Sequence, residues 1–259
     1  MADRRILVHC LTNPVTMQDT ANILLAAGGS AVMADEPEEA AEITALADVL
    51  LLNTGVPDRR KFQACILSGK QANAMGIPIV LDPVGAGASR FRREQLEVLL
   101  QAVQISLIRC NTEESMALLD LHLERSCGVE SSVSFDAAEQ QELALQLSRR
   151  YGCTALVSGA ADAVSDGFRT DLLTGGDPRT GSITGGGCML SALCALLCGE
   201  GAAPYESAVA AGRLWRKSAH IAGERTDVCG GGMGSFHRFL FDAAGEIFTN
   251  RPCPPELYG

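Results

Sequence analysis

Four apolar runs recur along the chain, each stopped by a polar residue: Asp48-Val49-Leu50-Leu51-Leu52-Asn53, Ile77-Pro78-Ile79-Val80-Leu81-Asp82, Ile105-Ser106-Leu107-Ile108-Arg109 and Thr154-Ala155-Leu156-Val157-Ser158. They are apolar on consecutive rather than alternate positions, which reads as strands covered on both faces. Between them lie stretches with helical spacing, at residues 58–75, 92–103 and 136–151. Strand and helix in alternation predict an α/β protein with a mostly parallel central sheet and helices on both faces. In such sheets ligands gather outside the carboxyl ends of the strands. The polar residues that stop the runs therefore mark the edge where a site is expected.

The remaining elements fit around this repeat. Residues 4–11 read as an entry strand stopped at Asn13-Pro14. A helix to residue 27 follows, with Thr16 as N-cap and Asp19 at the capping-box position. Residues 30–34 read as a short buried strand, and Asp35 as the cap of a helix over 36–47 that carries Pro37 in its first turn. A helix starts at Asn111-Thr112-Glu113-Glu114 and ends near Asp120, and residues 121–133 are polar and irregular, as in a surface loop or insertion. Asp136 caps the helix to Tyr151. Ala163-Val164 and residues 168–173, joined by Ser165-Asp166-Gly167, read as an antiparallel hairpin. The last third is helical, at residues 205–225 and 233–248, with a proline-rich tail from residue 250.

Several classes are disfavoured. A net charge of −10 argues against a nucleic-acid or anionic-membrane surface. Residues 180–199 carry no charge, but their apolar helical part is far shorter than the ~20 residues a bilayer requires, so a buried helix is expected. The ten cysteines include no Cys-x-x-Cys pair and no zinc-type Cys-His spacing, and they read as small hydrophobes of a reducing cytosol. The four histidines are dispersed, and the start of the chain shows no signal peptide. With 259 residues, 47% of them hydrophobic, a single domain over 1–259 is expected, in the cytoplasm.

The stretch Ile183-Thr184-Gly185-Gly186-Gly187-Cys188-Met189-Leu190 runs from glycines straight into an apolar helical pattern. It is either a flexible turn before an ordinary helix or an anion cradle, in which backbone N–H groups converge at the positive end of the helix. Asp82 and Glu114 follow neighbouring strands and could hold Mg²⁺ together with substrate phosphates. Asp82-Pro83 could equally be a plain turn, and Asn111 to Glu114 an N-cap with an acidic first turn. Arg109 could pair with an acid or clamp a phosphate. For Cys188 the helix start would lower the thiol pKa and burial would raise it.

Thr12-Asn13-Pro14-Val15-Thr16, Met33-Ala34-Asp35, Leu81-Asp82-Pro83-Val84-Gly85, Arg109-Cys110-Asn111-Thr112-Glu113-Glu114 and Ile183 to Met189 resemble, in order and spacing, the motif series of the hydroxyethylthiazole kinases. Gly231-Gly232-Met233-Gly234-Ser235-Phe236 is similar to their C-terminal glycine motif. The resemblance implies a ribokinase-like fold with no separate lid domain. It further implies a homotrimer with active sites between subunits, and phosphorylation of the alcohol of hydroxyethylthiazole with ATP and Mg²⁺ in thiamine biosynthesis. By the same resemblance Met33 and Gly185, with Asn13 beside them, contact the thiazole, and Arg109 and Ser158 contact ATP. Asp82 and Glu114 are its magnesium-associated acids, Gly185, Gly186 and Gly187 form the phosphate cradle, and Cys188 faces the alcohol. The chain departs from the usual pattern at Gly186, where threonine is common, at Ala160, where glutamate is common, and at Cys110, where glycine is common. Two alternatives stand beside this reading. One is another ribokinase-like activity, a hydroxymethylpyrimidine kinase or an ATP-dependent hydrate dehydratase. The other is a non-catalytic ligand-binding derivative.

Overall fold

The apolar runs pair side by side into one sheet. The structure, a computed structural model, describes residues 4–120 and 136–250. Its strands are β1 (Leu7–Leu11), β2 (Ser30–Val32), β3 (Val49–Asn53), β4 (Ile79–Asp82), β5 (Leu107–Asn111), β6 (Thr154–Ser158), β7 (Asp162–Ser165) and β8 (Thr170–Leu173), in the order β2-β1-β3-β4-β5-β6-β7-β8. The first six are parallel, and β7 and β8 join antiparallel at one end. Strand order reverses at β1, which lies between β2 and β3, and a crevice is expected at such a switch point.

The helices are α1 (Met17–Ala26), α2 (Pro37–Leu46), α3 (Arg59–Met75), α4 (Arg90–Ala102), α5 (Thr112–Leu118), α6 (Ala137–Tyr151), α7 (Gly186–Gly199), α8 (Pro204–Val228) and α9 (Met233–Thr249), with a 3-10 turn at Pro178–Ser182. Alternation within the strands splits the core in two. Val49 and Leu51 point into a cluster with Leu24 of α1, Leu193 of α7, Trp215 of α8 and Phe236 of α9. Leu50 and Leu52 point into a second cluster with Phe62 of α3, Leu96 of α4 and Leu147 of α6. Every side chain of α7 from Cys188 to Cys198 is buried, and this helix lies across β1, β3, β4 and β5. That explains its freedom from charge. Among the described residues no lid stands apart from the sheet and its helices, and no helix is long and apolar enough to cross a membrane.

Local chemistry shifts several boundaries. Asp136 and Asn111 each close a capping box, with Glu139 and Glu114 respectively. The capping box expected at Thr16 and Asp19 does not form. The Thr16 hydroxyl instead accepts from Asn13 Nδ2 (2.9 Å), and Asp19 Oδ2 meets His237 Nε2 (3.1 Å) on α9. Asp35 does not cap α2, because Pro37 opens that helix with Glu36 in the cap position. The strand expected over 30–34 stops at Val32 and, as a sheet edge, is only half-buried. Phe168 belongs to the hairpin turn and is 97% exposed, so β8 starts later than expected. The expectations for residues 121–133 and for the tail beyond residue 250 lie outside the described residues.

Candidate active site

The carboxyl ends of β1, β3, β4, β5 and β6 converge on the start of α7. Register places Asn53 beside Asp82 and Asn111 beside Ser158. Gly185 turns the chain into the helix at φ 84°, a left-handed conformation open to glycine. Met189 N donates to Gly185 O (2.8 Å). The N–H groups of Gly186, Gly187 and Cys188, one turn earlier, have no intrahelical acceptor. They form the donor set expected of an anion cradle.

Two of the glycines are dictated by close approach. A Cβ on Gly187 would lie 2.3 Å from Arg109 Nη1, so the guanidinium lies directly against the helix start. A Cβ on Gly186 would lie 2.8 Å from the backbone oxygen of Thr180. The 178–182 turn thus fills the space a side chain at 186 would need, and a threonine here would require that turn to shift. That turn is fastened to α8 by Arg179, which bridges Asp177 and Asp227.

Arg109 is buried in the middle of β5. Its Nη2 donates to Ser158 Oγ (2.5 Å), its Nη1 lies 3.8 Å from Asp82 Oδ1, and its Nε has no partner. Asp82 is fully buried, and one of its oxygens, Oδ1, accepts no hydrogen bond. The other accepts from Asn53 Nδ2 (2.8 Å). Burial pushes the Asp82 carboxyl up to about 6, against the pull of the Arg109 guanidinium. Glu114 is occupied differently. Its two oxygens accept from the backbone N–H groups of Gly85 (2.8 Å) and Asn111 (2.9 Å), so the N-cap reading of this acid is realised.

The acceptor side lies at the β1/β3 switch point. Asn13 Nδ2 donates to Thr16 Oγ1 and to Asn53 Oδ1 (3.1 Å), and Asn53 Nδ2 reaches Cys188 Sγ at 3.1 Å. Of the two opposed effects on Cys188, burial prevails: with the charge of Asp82 adding to it, the thiol is pushed up to about 12. Met33 follows β2, next to β1 on the same edge, and is half-buried against the α7 core.

Beside Arg109 opens a cavity of about 570 Å³. Its walls include Ser158, Ala160, Gly176, Thr180, Trp215 and Arg216. Asn13, Met33, Asp82, Arg109, Glu114, Ser158, the glycines 185–187 and Cys188 lie at the carboxyl ends of the strands or at the helix start they face. Sequence reading placed Asn53 at the end of an apolar run, as it did Asp82, but gave it no role. It also missed Thr16 as a partner of Asn13, and the buried pair Asp162 and Arg216, for which no local pattern exists.

Comparison with known proteins bears on the family and the fold. The hydroxyethylthiazole kinase family matches residues 1–250. A hydroxyethylthiazole kinase of Lysinibacillus sphaericus is 40% identical over 224 residues, 86% of this chain and 87% of that protein. A solved hydroxyethylthiazole kinase of Pyrococcus horikoshii superposes with a TM-score of 0.83 at 35% identity, covering 95% of this chain and 89% of the other. A ribokinase-like superfamily protein of Enterococcus faecalis, at 13% identity, shares the fold with a TM-score of 0.65 over 95% of this chain and 90% of its own. The fold is therefore ribokinase-like, and this chain belongs to the hydroxyethylthiazole kinase family.

Proposed function

We propose that the protein transfers the γ-phosphoryl group of ATP to the primary alcohol of 4-methyl-5-(2-hydroxyethyl)thiazole, a step of thiamine biosynthesis and salvage. The observation that carries this reading is the meeting, at one strand edge, of the free N–H groups of 186–188, the Arg109 guanidinium and the Asp82 oxygen, Oδ1, that accepts no hydrogen bond. Phosphoryl transfer has a loose transition state, so positioned donors and cations supply most of its stabilisation. The cradle N–H groups bind the equatorial oxygens of the transferred group, and Arg109 adds charge from the side of the large cavity, where ATP lies. Asn13, Cys188, Gly185 and Met33 hold the alcohol at the switch point.

At neutral pH Cys188 is a thiol rather than a thiolate, so it positions the alcohol and leaves the proton on it until late in the transfer. The donor set fits Mg²⁺, which takes one or two carboxylates and leaves its other positions to water and phosphates. Asp82 offers a buried oxygen, Oδ1, that accepts no hydrogen bond, and Glu114, whose oxygens each hold one backbone N–H, is the second acid. When bound, the ion supplies positive charge to the nucleotide phosphates.

The proposed assembly is a homotrimer with active sites between subunits. Its support is family membership together with Val15 and Val56, which are 64% and 49% exposed on the loops that follow Asn13 and Asn53. A cytoplasmic location suits the described cysteines, all of which are free thiols. ATP consumption dependent on the thiazole alcohol tests the reading. Turnover with this alcohol and none with hydroxymethylpyrimidine is expected. Well-folded protein that turns over only the pyrimidine, or neither compound, would overturn it.

A further inference from the structure

Arg216 projects from the middle of α8, and its side chain is buried. A guanidinium has five N–H donors, and here each one has an acceptor. Nε donates to Asp162 Oδ2 (2.7 Å), and Nη2 to Asp162 Oδ1 (2.7 Å) and Gly159 O (3.0 Å). Nη1 donates to Ala160 O (3.0 Å) and Gly175 O (2.6 Å). One side chain thereby ties the turn after β6, the first residue of β7 and the loop after β8 to α8. All these pieces line the cavity of about 570 Å³. With no donor left over, Arg216 has nothing to offer a phosphate, although it is a cation in the cavity wall.

The knot leads to Arg109. Asp162 Oδ1 also accepts from Gly159 N (3.2 Å), and the residue before Gly159 is Ser158, whose hydroxyl receives Arg109 Nη2. Charge points the same way. Asp162 is a buried carboxylate in the wall of a cavity that receives an anion, and the paired guanidinium removes that repulsion.

We propose that Arg216 is a positioning residue for the nucleotide. It fixes the spacing between the 158–160 turn and the 175–177 loop and, through Ser158, the orientation of Arg109, without touching the phosphates. The proposal rests on the reading of the cavity as the ATP site.

The chain carries its own reporter, since its single tryptophan, Trp215, lines the same cavity. Nucleotide affinity is measured without turnover, by Trp215 emission and by titration calorimetry with ATP, in the full-length protein and in Arg216→Lys and Arg216→Met. KM for ATP, KM for the thiazole alcohol and the thermal midpoint are measured alongside. Arg216→Lys keeps the charge but loses the planar fork. It should raise both the ATP Kd and the ATP KM by about tenfold or more, with KM for the alcohol changed less than about twofold. If Arg216→Met leaves Asp162 unpaired, adding Asp162→Asn should recover part of the lost affinity. Equal rises in both KM values would overturn the proposal, as would a Lys variant that binds ATP like the wild type. Should Arg216→Met fail to fold, the Lys variant and the Asp162→Asn single variant still decide the matter. Wild-type protein that binds no nucleotide would instead overturn the reading of the cavity. Wild type and variants that bind it equally well would overturn the role of Arg216 alone.

Discussion

Gly187 carries no side chain because the Arg109 guanidinium occupies the space a methyl group would need. Gly187→Ala should therefore displace the charge that faces the phosphates. Because the displaced atoms are the end of a flexible side chain, the fold should survive, with a thermal midpoint within about 2 °C of wild type. Turnover should fall by about 10²-fold, as expected when a positioned charge moves by an ångström. Cys188 is the second test at this scale. With its thiol pushed up to about 12, it should resist iodoacetamide at pH 8 while the exposed Cys229 reacts, and peptide mass spectrometry reads both sites. Cys188→Ala should lower turnover with little change in ATP affinity. Cys188→Asp, whose carboxylate would have the Asn13 and Asn53 amides beside it, should remain active. A normal rate in the alanine variant, or a folded but dead aspartate variant, would sink the assignment. The site was legible in the sequence where a polar residue stops an apolar run, as at Asp82, Arg109 and Ser158. It was not legible at Arg216, one of three arginines in an alanine-rich helical stretch, whose partner lies 54 positions away. Only the hairpin and the return of α8 bring the two together.

At the scale of elements, the start of α5 does two things at once. Glu114 closes the capping box with Asn111 and also holds Gly85 N, so its charge fixes a helix start and the loop after β4. Glu114→Gln replaces one carboxylate oxygen with an NH2 group, which donates and cannot accept. One backbone N–H is then left without a partner, at a cost of about 1–3 kcal/mol. Loss of magnesium-dependent activity should therefore come with a drop in thermal midpoint, while Glu113→Gln, on the exposed side of the same turn, should change neither. β1 offers a second test, in pH. His9 is buried between Thr44 of α2 and the Ala34 carbonyl, and burial lowers its pKa below 6.5. Above pH 6.5 it is neutral in both folded and unfolded chains and carries no penalty. As pH falls below 6.5 the unfolded chain takes up a proton first, and stability is lost. Asp82, with its carboxyl raised to about 6, takes up its proton in the folded state over the same range and acts in the opposite sense, so the His9 share is read by difference: in urea unfolding between pH 7 and 5, His9→Gln should lose less stability than wild type. The strands were legible because two-sided burial leaves them apolar throughout. Thr16 and Asp19 misled because the Thr16 hydroxyl is taken by Asn13, three residues earlier, and Asp19 serves His237 on α9, a distant partner that no local spacing encodes.

For the whole molecule, the proposed trimer makes a prediction that no single subunit can satisfy. If Arg109 and Met33 of different chains serve one site, mixing inactive Arg109→Ala with inactive Met33→Asp protein should restore part of the activity. A fully active monomer in sedimentation would overturn the shared site. The placement of α7 has a further consequence, in the order of events during synthesis. The sheet face that carries Leu51, Val80, Leu107 and Leu156 is covered by α7, α8 and α9, all of which follow the last strand in the chain. Among the described residues, α1 is the only earlier helix that shelters that face. A nascent chain thus keeps one side of its sheet uncovered until residues beyond 186 emerge, which makes folding depend on contacts far apart in sequence and invites chaperone binding in the interval. The helix that ends this exposure is the one whose first turn forms the phosphate cradle. Completion of the core and acquisition of the phosphate site are then a single kinetic event, and a chain interrupted before α7 has neither.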